Sequence, residues 1–386
     1  MVDPLELVVG LEAAGVDRFV GVPDSLMQDF SAALMAHVRP ERHVVAANEG
    51  NAIAIAMGHA LATGRPALVY LQNSGLGNTV NPLLSLVDPE VYGVPVVLLV
   101  GWRGEPGVQD EPQHVKQGRI TPAMLDVMEV PWQELHAGVS DVQAVVKSAV
   151  DASVERQGPS AIVVRKGTFS RFSPNPEPVA SMAPLSREQA LARVVKAIPA
   201  SALVVSTTGM LSRELFELRV ASGGGEALDL LTVGGMGHAS SIALGAALAD
   251  PEREVWCLDG DGALLMHMGA LAVIGRNAGP RFHHVVFNNG VHDSVGGQPT
   301  AIDVVDIPAL ARASGYRWAD RAVTVQEVDQ RLSDQDGQGP SLLEIVVRPG
   351  NRPDIGRPTH TPKEARGRLQ RALAGTNTDT SEAGAV

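Results

Sequence analysis

Short apolar runs alternate with helix-length segments along most of the chain. In the first half the predicted strands are residues 18–23, 43–47, 67–72, 94–101 and 160–166, and the predicted helices include residues 25–36 and 49–61. Continuous apolar runs that alternate with helices are typical of a parallel sheet covered by helices on both faces. The first half is therefore predicted to form a doubly wound α/β domain.

A proline-rich segment without periodicity, residues 171–186, precedes a second half with the same alternation. Its predicted strands are residues 202–209, 229–237, 255–258, 284–287, 316–321 and 341–347, and its predicted helices are residues 187–198, 213–221, 238–249, 263–277, 324–333 and 362–373. We therefore predict two doubly wound parallel-sheet domains, residues 1–170 and 187–373, joined by a linker. Residues 374–386 are small and polar, and they are predicted to form a disordered tail.

The most informative stretch is a strand–helix–strand unit between residues 254 and 295. Its two apolar runs, VWCL and HVVF, are followed by GDG at 260–262 and NNG at 288–290. The carboxyl ends of parallel strands emerge at one sheet edge, so Asp261 and Asn289 can meet at one ion. Carboxylate and amide oxygens, with a nearby backbone carbonyl, suit Mg²⁺, and the glycines expose amides where a diphosphate binds. A metal–diphosphate site is predicted; the alternative is an ordinary turn and loop.

Composition excludes several classes of protein. With 45% hydrophobic and 19% charged residues among 386, the sequence is that of a soluble globular protein with room for two domains. No stretch reaches the roughly 18 apolar residues of a membrane span, and a cytoplasmic location is expected. The net charge of −12 argues against nucleic acid or an anionic membrane as the main partner, although local arginines leave an anionic small substrate open. The single cysteine, Cys257, excludes an internal disulfide and is predicted to be a packed thiol.

Asn48 and Glu49 begin a predicted helix, where an N-cap followed by a first-turn acid is the ordinary interpretation. However, the strand–NEGNA–helix arrangement, together with GDG followed after 25 residues by NN, resembles the thiamine diphosphate enzymes. The resemblance implies that Glu49 pairs with the aminopyrimidine ring of thiamine diphosphate, and that Mg²⁺ is held by Asp261, Asn289 and Val291. It also implies at least a homodimer, because in this family the glutamate and the diphosphate site come from different subunits.

The same resemblance implies further cofactor contacts. Gly234 would offer its carbonyl to the 4′ amino group, and Met236 would support the bent cofactor, for which ordinary core packing is the alternative. The other expected cofactor-binding residues are Thr207, Thr208, Gly209, Gly260, Asp261, Gly262, Ala263 and Asn289.

Long polar segments at the ends of predicted strands, such as residues 21–26, 70–86 and 101–119, resemble those of the phosphonopyruvate decarboxylase family. The resemblance extends to about Pro362 and includes the lack of a central domain. It departs after THTP, where KEARGR replaces the usual acidic-Asn-Lys pattern. It implies conversion of 3-phosphonopyruvate to phosphonoacetaldehyde and CO₂, in the biosynthesis of phosphonates and, on a weaker indication, of antibiotics. Sulfopyruvate decarboxylase, an acetolactate-type carboligase and a non-catalytic diphosphate-binding module remain open alternatives.

The polar segments supply the candidates for substrate chemistry. The candidate catalytic residues besides Glu49 are Asp24, Ser25 and His114. The candidate substrate-binding residues are Asn73, Ser74, Arg103 and Lys116. A guanidinium group matches a pair of phosphonate oxygens, which favours Arg103 for the anionic end of the substrate. Each candidate also has an ordinary interpretation, as a turn residue, a helix cap, a loop hydrogen-bonding group or a solvated charge.

Overall fold

Both halves of the chain fold around a six-stranded parallel sheet, as the alternating pattern predicts. The structure, a computed structural model, describes residues 1–173, 183–223, 228–335 and 337–382. The chain splits into two compact units, residues 1–179 with 292–299 and residues 180–291 with 300–386. Most of the predicted linker, residues 174–182, lies outside the described residues.

The first unit contains six strands and six helices among its described residues. The strands are β1 (Arg18–Gly21), β2 (His43–Val45), β3 (Ala67–Gln72), β4 (Val96–Gly101), β5 (Trp132–Leu135) and β6 (Pro159–Val164). The helices are α1 (Pro4–Ala13), α2 (Gln28–His37), α3 (Glu49–Thr63), α4 (Leu76–Pro82), α5 (Pro112–Val127) and α6 (Val142–Arg156).

The second unit has the same number of strands and two more helices among its described residues. The strands are β7 (Leu203–Ser206), β8 (Asp229–Leu231), β9 (Val255–Gly260), β10 (Phe282–Asn288), β11 (Trp318–Ala322) and β12 (Ser341–Val346). The helices are α7 (Arg187–Ala197), α8 (Met210–Ala221), α9 (Ala239–Ala249), α10 (Asp261–Met266), α11 (Ala270–Asn277), α12 (Ile307–Ala313), α13 (Val325–Asp334) and α14 (Pro362–Glu382).

The two sheets have the same topology. The first has the order β2-β1-β3-β4-β6-β5 and the second β8-β7-β9-β10-β12-β11, so each strand of one sheet has a counterpart in the other. In each sheet the order reverses between the first and third strands, β1 and β3 or β7 and β9. Ligands of open α/β sheets bind at the carboxyl ends of the strands beside such a reversal. The topology therefore predicts one site in each unit.

Helices on both sides bury the sheets completely at their centres. Along β3, Leu68 and Tyr70 pack into one apolar cluster, and Val69 and Leu71 pack into a second cluster on the opposite face. All six residues of β4 are buried. This two-sided burial explains why the central strands appear in the sequence as continuous apolar runs rather than as alternating ones.

The structure differs from the predicted elements in several places. The single helix predicted at 263–277 is divided into α10 and α11 by a turn before Gly269. Part of the polar segment 70–86 is helical, because buried Leu76 and Leu83 pack α4 and the turn that follows it against the sheet. The end of segment 101–119 is also helical. Helix α5 begins at Pro112, and proline is tolerated in the first turn of a helix. Helices α1 and α12 and strand β5 were not predicted.

At its carboxyl end the chain continues as helix α14 beyond the predicted boundary at residue 373, as far as Glu382. The predicted disordered tail thus begins within this helix, and residues 383–386 lie outside the described part of the chain. Among the described residues, none of the helices combines the length and the hydrophobicity needed to cross a bilayer.

Candidate active site

Glu49 is a buried carboxylate at the start of helix α3. Asn48 is the N-cap of the helix, and its Oδ1 accepts a hydrogen bond of 2.9 Å from the backbone N–H of Asn51. Glu49 is 5% exposed, and its Oε2 accepts a 2.7 Å hydrogen bond from Nδ2 of Asn78. A side chain at position 75 would collide with the Glu49 carboxylate, so Gly75 leaves the room that this group occupies. An acidic residue in the first turn of a helix is common, but a first-turn acid whose side chain is buried away from solvent is unusual.

Asp24 lies beyond the end of β1 and is fully buried. Its Oδ1 accepts hydrogen bonds from the backbone N–H of Leu26 at 3.2 Å and from Nε2 of Gln72 at 2.7 Å. Its Oδ2 is without a hydrogen-bond partner among the described residues. Burial raises the pKa of Asp24, and the hydrogen bonds from Gln72 and Leu26 oppose that shift only in part. The residue therefore caps a turn and also presents a carboxyl group suited to carrying a proton.

Arg103 follows β4 and donates to two side chains. Its Nε and Nη2 donate to Oδ2 and Oδ1 of Asp110 at 2.8 and 2.5 Å, and its Nη1 donates to Oγ of Ser25 at 2.5 Å. Asp110 also contacts His114, at 2.9 Å between Oδ1 and Nδ1. Ser25 from the predicted polar segment 21–26 and Arg103 and His114 from the segment 101–119 thus belong to one network beside the β1–β3 reversal.

The other three substrate candidates have different surroundings. The buried side chain of Asn73 donates to the carbonyl of Arg103 at 2.8 Å and to Oγ1 of Thr121 at 2.9 Å, which holds the loop after β4 in place. Ser74 is exposed and donates to Oε1 of Gln72 at 2.7 Å. Lys116 is exposed, about 200° around helix α5 from His114, so the two side chains leave the helix on different faces. Their roles toward substrate stay predictions.

Sequence reasoning missed Gln72 and Asp110, which link the predicted residues to one another. Gln72 is the last residue of β3, and it bridges Asp24 and Ser74. Asp110 precedes helix α5 by two residues and lies four residues before His114. The DEPQH segment contains a usable signal, because an acid four residues before a histidine at a helix start can reach its ring.

In the second unit, the carboxyl ends of β9 and β10 are adjacent and parallel, with Phe287 opposite Gly260. Asp261 is 3% exposed, and its Oδ2 accepts a 2.7 Å hydrogen bond from Oγ1 of Thr300. Burial raises the pKa of Asp261 to about 6, against hydrogen bonds from Thr300 and from the backbone N–H of Asn289 and others. Asp261 and Asn289 therefore meet at one sheet edge, as the parallel-strand argument predicts.

These groups suit a divalent cation. A carboxylate whose pKa is raised by burial is costly to ionise alone, and a bound cation relieves that cost. Asp261 and Asn289 offer side-chain oxygens and Val291 offers a backbone carbonyl, and hard oxygen ligands of this kind suit Mg²⁺. The Oδ1 of Asn289 accepts a 3.2 Å hydrogen bond from the N–H of Val291. The donor set of this edge therefore fits the predicted metal.

The remaining cofactor candidates lie at neighbouring strand ends. Thr207, Thr208 and Gly209 follow β7; Gly234 and Met236 follow β8; Gly260, Gly262 and Ala263 surround the start of α10. Gly209 has a φ of 103° where helix α8 begins. Gly237 has a φ of 86°, and a side chain there would lie 2.9 Å from the carbonyl of Ala263. Their positive φ values favour glycine at both places, and Gly237 also lets the segment after β8 approach the start of α10 closely. The roles of these residues toward a cofactor stay predictions.

A second group of potential ligands lies inside the sheet of the same unit. Atoms of Cys257, Asp259 and His284, all buried, lie within 4.8 Å of one another. The group contains a thiol, whose pKa burial raises well above its usual value, so it does not share the oxygen chemistry of the Asp261 edge. The prediction that Cys257 is a packed thiol is confirmed.

Comparison with known proteins agrees with this geometry. Residues 6–128 match the family "Thiamine pyrophosphate enzyme, N-terminal TPP binding domain", and residues 207–345 match the corresponding C-terminal TPP binding domain. Phosphonopyruvate decarboxylases of Streptomyces viridochromogenes and Streptomyces hygroscopicus are 35% and 33% identical, each over 96% of this chain and 94% of the relative. Sulfopyruvate decarboxylase of Methanosarcina acetivorans is 24% identical over 97% of this chain and 98% of its own.

One family match falls in each half of the chain, so both halves are of the thiamine pyrophosphate-binding class. Within that class, identity above 30% extends along nearly the whole chain. The chain therefore belongs to the phosphonopyruvate decarboxylase family of thiamine pyrophosphate enzymes.

Proposed function

We propose that the protein converts 3-phosphonopyruvate to phosphonoacetaldehyde and CO₂ with thiamine diphosphate and Mg²⁺, as a step in the biosynthesis of phosphonates, including phosphonate antibiotics. The observation that carries the proposal is the similarity to phosphonopyruvate decarboxylases along nearly the whole chain. The buried Glu49 in one unit and the Asp261–Asn289 edge in the other support it, because this cofactor needs both an acid and a metal–diphosphate site.

Thiamine diphosphate, when bound, supplies the nucleophilic carbon that attacks the keto group and accepts the electrons released with CO₂. The residues of the chain bind and orient the reactants. Asp261, Asn289 and the carbonyl of Val291 would hold Mg²⁺ and, through it, the diphosphate. The buried carboxylate of Glu49 would accept a hydrogen bond from the aminopyrimidine ring. Asn78 keeps that carboxylate in place.

On the substrate side, Arg103 would bind the phosphonate, and Asp24 and His114 would hold or transfer protons. The raised pKa of Asp24 suits its Oδ2 to carry a proton and deliver it where CO₂ has left. Arg103 donates a hydrogen bond to Ser25, the residue that follows Asp24. The phosphonate bound by Arg103 and the proton donor Asp24 would therefore lie on the same wall of the pocket. A phosphonate dianion would be attracted there despite the negative net charge of the chain.

The test is a steady-state assay of aldehyde formation with phosphonopyruvate, Mg²⁺ and thiamine diphosphate, repeated with sulfopyruvate. We expect a higher kcat/KM for phosphonopyruvate. A tenfold or greater preference for sulfopyruvate would replace the proposed substrate, and a C–C coupled product from pyruvate would indicate a carboligase. Thiamine diphosphate binding without CO₂ release from any of these acids would indicate a binding module.

We also propose that the protein self-associates and that active sites form between subunits. The resemblance to the family supports this, and exposed apolar side chains on helix α3 and in the segment after helix α4 agree with it; they are Ile55 and Leu61 on α3, and Leu84, Val91 and Tyr92 after α4. We expect at least a dimer in light scattering of the purified protein.

Mixing two inactive variants tests the shared site. Co-expression of Glu49→Gln and Asp261→Asn subunits is expected to restore about one quarter of wild-type activity. Random pairing gives about half heterodimers, and each of these has one site with both residues intact. The activity is measured on the co-purified mixture, with co-expressed Glu49→Gln and Glu49→Ala subunits as the control. If the first mixture is as inactive as the control, Glu49 and Asp261 serve a site within one subunit.

A further inference from the structure

One carboxylate, that of Asp110, connects Arg103 to His114. Its side chain is 4% exposed and accepts five hydrogen bonds. Besides the two from Arg103, they come from Nδ1 of His114 at 2.9 Å and from the backbone N–H groups of Gly104 at 2.9 Å and Glu111 at 2.7 Å. A buried carboxylate with this many donors holds its neighbours in one arrangement.

The contact determines which nitrogen of His114 carries the proton. Partial burial raises the pKa of Asp110, but the hydrogen bonds from Arg103 and His114 outweigh it and hold the pKa well below the usual value. An ionised carboxylate only accepts hydrogen bonds, so Nδ1 of His114 must donate. Neutral His114 is therefore the Nδ1–H tautomer, and the lone pair for accepting a proton lies on Nε2.

The same carboxylate determines which part of Arg103 can meet a ligand. A guanidinium group has five N–H bonds. Two of them donate to Asp110 and a third donates to Ser25, which leaves one on each terminal nitrogen. The edge formed by Nε and Nη2, one of those that could bind a pair of phosphonate oxygens, is used by Asp110. An anionic ligand must therefore approach the remaining two N–H bonds.

We propose that Asp110 is a positioning residue of the substrate site: its carboxylate sets His114 as the Nδ1–H tautomer and orients Arg103 so that two N–H bonds face the phosphonate of the substrate. The consequence for the reaction rests on the proposed function, whereas the tautomer of His114 does not. Asp110 touches neither substrate nor cofactor in this assignment, and it acts through the two side chains that it holds.

The competing explanation is that Asp110 only stabilises the loop after β4, since it also accepts from Gly104 and Glu111. The loop provides a matched control. Glu105 is 6% exposed, and its carboxylate pairs with Arg165 rather than with Arg103 or His114. Glu105→Gln should therefore weaken the same loop without changing the tautomer or the guanidinium orientation.

The experiment compares Asp110→Asn with Glu105→Gln and wild type. We expect His114 to be the Nδ1–H tautomer in the wild type, which ¹⁵N spectra of histidine-labelled protein report after assignment with His114→Gln. We expect kcat/KM for phosphonopyruvate to fall roughly 10- to 100-fold in Asp110→Asn, through both a lower kcat and a higher KM. Glu105→Gln should lose less than about threefold.

An Nε2–H tautomer in the wild type overturns the assignment, and this outcome needs no folded variant. A loss of kcat/KM in Asp110→Asn no larger than in Glu105→Gln overturns it as well. If wild type shows no decarboxylation but His114 is the Nδ1–H tautomer, the proposed function fails while the contact between Asp110 and His114 stands.

Discussion

Replacement of Glu49 by Gln is expected to lower kcat for phosphonopyruvate by about 10³-fold, the magnitude of a lost acid–base contact. Glutamine has nearly the same shape, so it still avoids Gly75, and its carbonyl oxygen can still accept from Asn78. What it loses is the negative charge that would face the aminopyrimidine ring. The measurement is kcat at saturating thiamine diphosphate and Mg²⁺, together with the melting temperature of the variant.

Glu41→Gln is a suitable control, because Glu41 is exposed and precedes β2. It should leave kcat within about twofold of wild type, as surface substitutions usually do. The mechanism would be wrong if Glu49→Gln kept more than a tenth of the wild-type kcat while binding thiamine diphosphate normally.

Asp261→Asn is expected to act on binding instead. Asparagine can still accept from Thr300, but it removes the charge that a cation requires. Loss of one partner from a buried charge pair costs roughly 3 kcal/mol or more, so the Kd for thiamine diphosphate in the presence of Mg²⁺ should rise at least about 100-fold. Calorimetry gives the Kd, and a higher Mg²⁺ concentration should recover part of the activity.

Asp303→Asn provides the matched control, because Asp303 is exposed in the turn that follows Thr300. It should bind thiamine diphosphate as wild type does, and chelation of divalent ions should abolish binding in both. Unchanged affinity in Asp261→Asn would remove Asp261 from the metal site and would leave the Glu49 prediction intact. The two substitutions therefore test separately the proposed metal-binding role of Asp261 and the proposed acid–base role of Glu49.

The fold, the strand ends that carry Asp261 and Asn289 and the helix start that carries Glu49 could be predicted, because each depends on residues that are close together in the sequence. Buried central strands require apolar runs, and GDG and NNG follow two successive strands that pair directly. Parallel pairing then brings Asp261 beside Asn289 without further information. Glu49 was predictable for a similar reason, since it begins the helix after β2.

The network around Arg103 could not be predicted in the same way. Asn73 and Thr121 are 48 residues apart in sequence, as are Gln72 and Asp24, and these pairs come from different strands and helices. The polar composition of the segments 70–86 and 101–119 suggested loops, but the structure forms helix α4 in the first and begins helix α5 in the second. The helical form of both depends on apolar residues packed against the sheet. On helix α5, the rotation between His114 and Lys116 separates two candidates that appear equivalent in the sequence.

By itself, the sequence determined the parallel α/β architecture, the division into two halves, the acid at the start of α3 and the placement of Asp261 and Asn289 at the β9–β10 edge. All of these depend on periodicity and on residues close to strand ends. The tertiary structure alone decided that both sheets have one topology, that Asp110 holds Arg103 and His114, and that Thr300 supports Asp261. Hydrogen bonds between side chains act over about 3 Å, so their partners are specified only when the elements have packed.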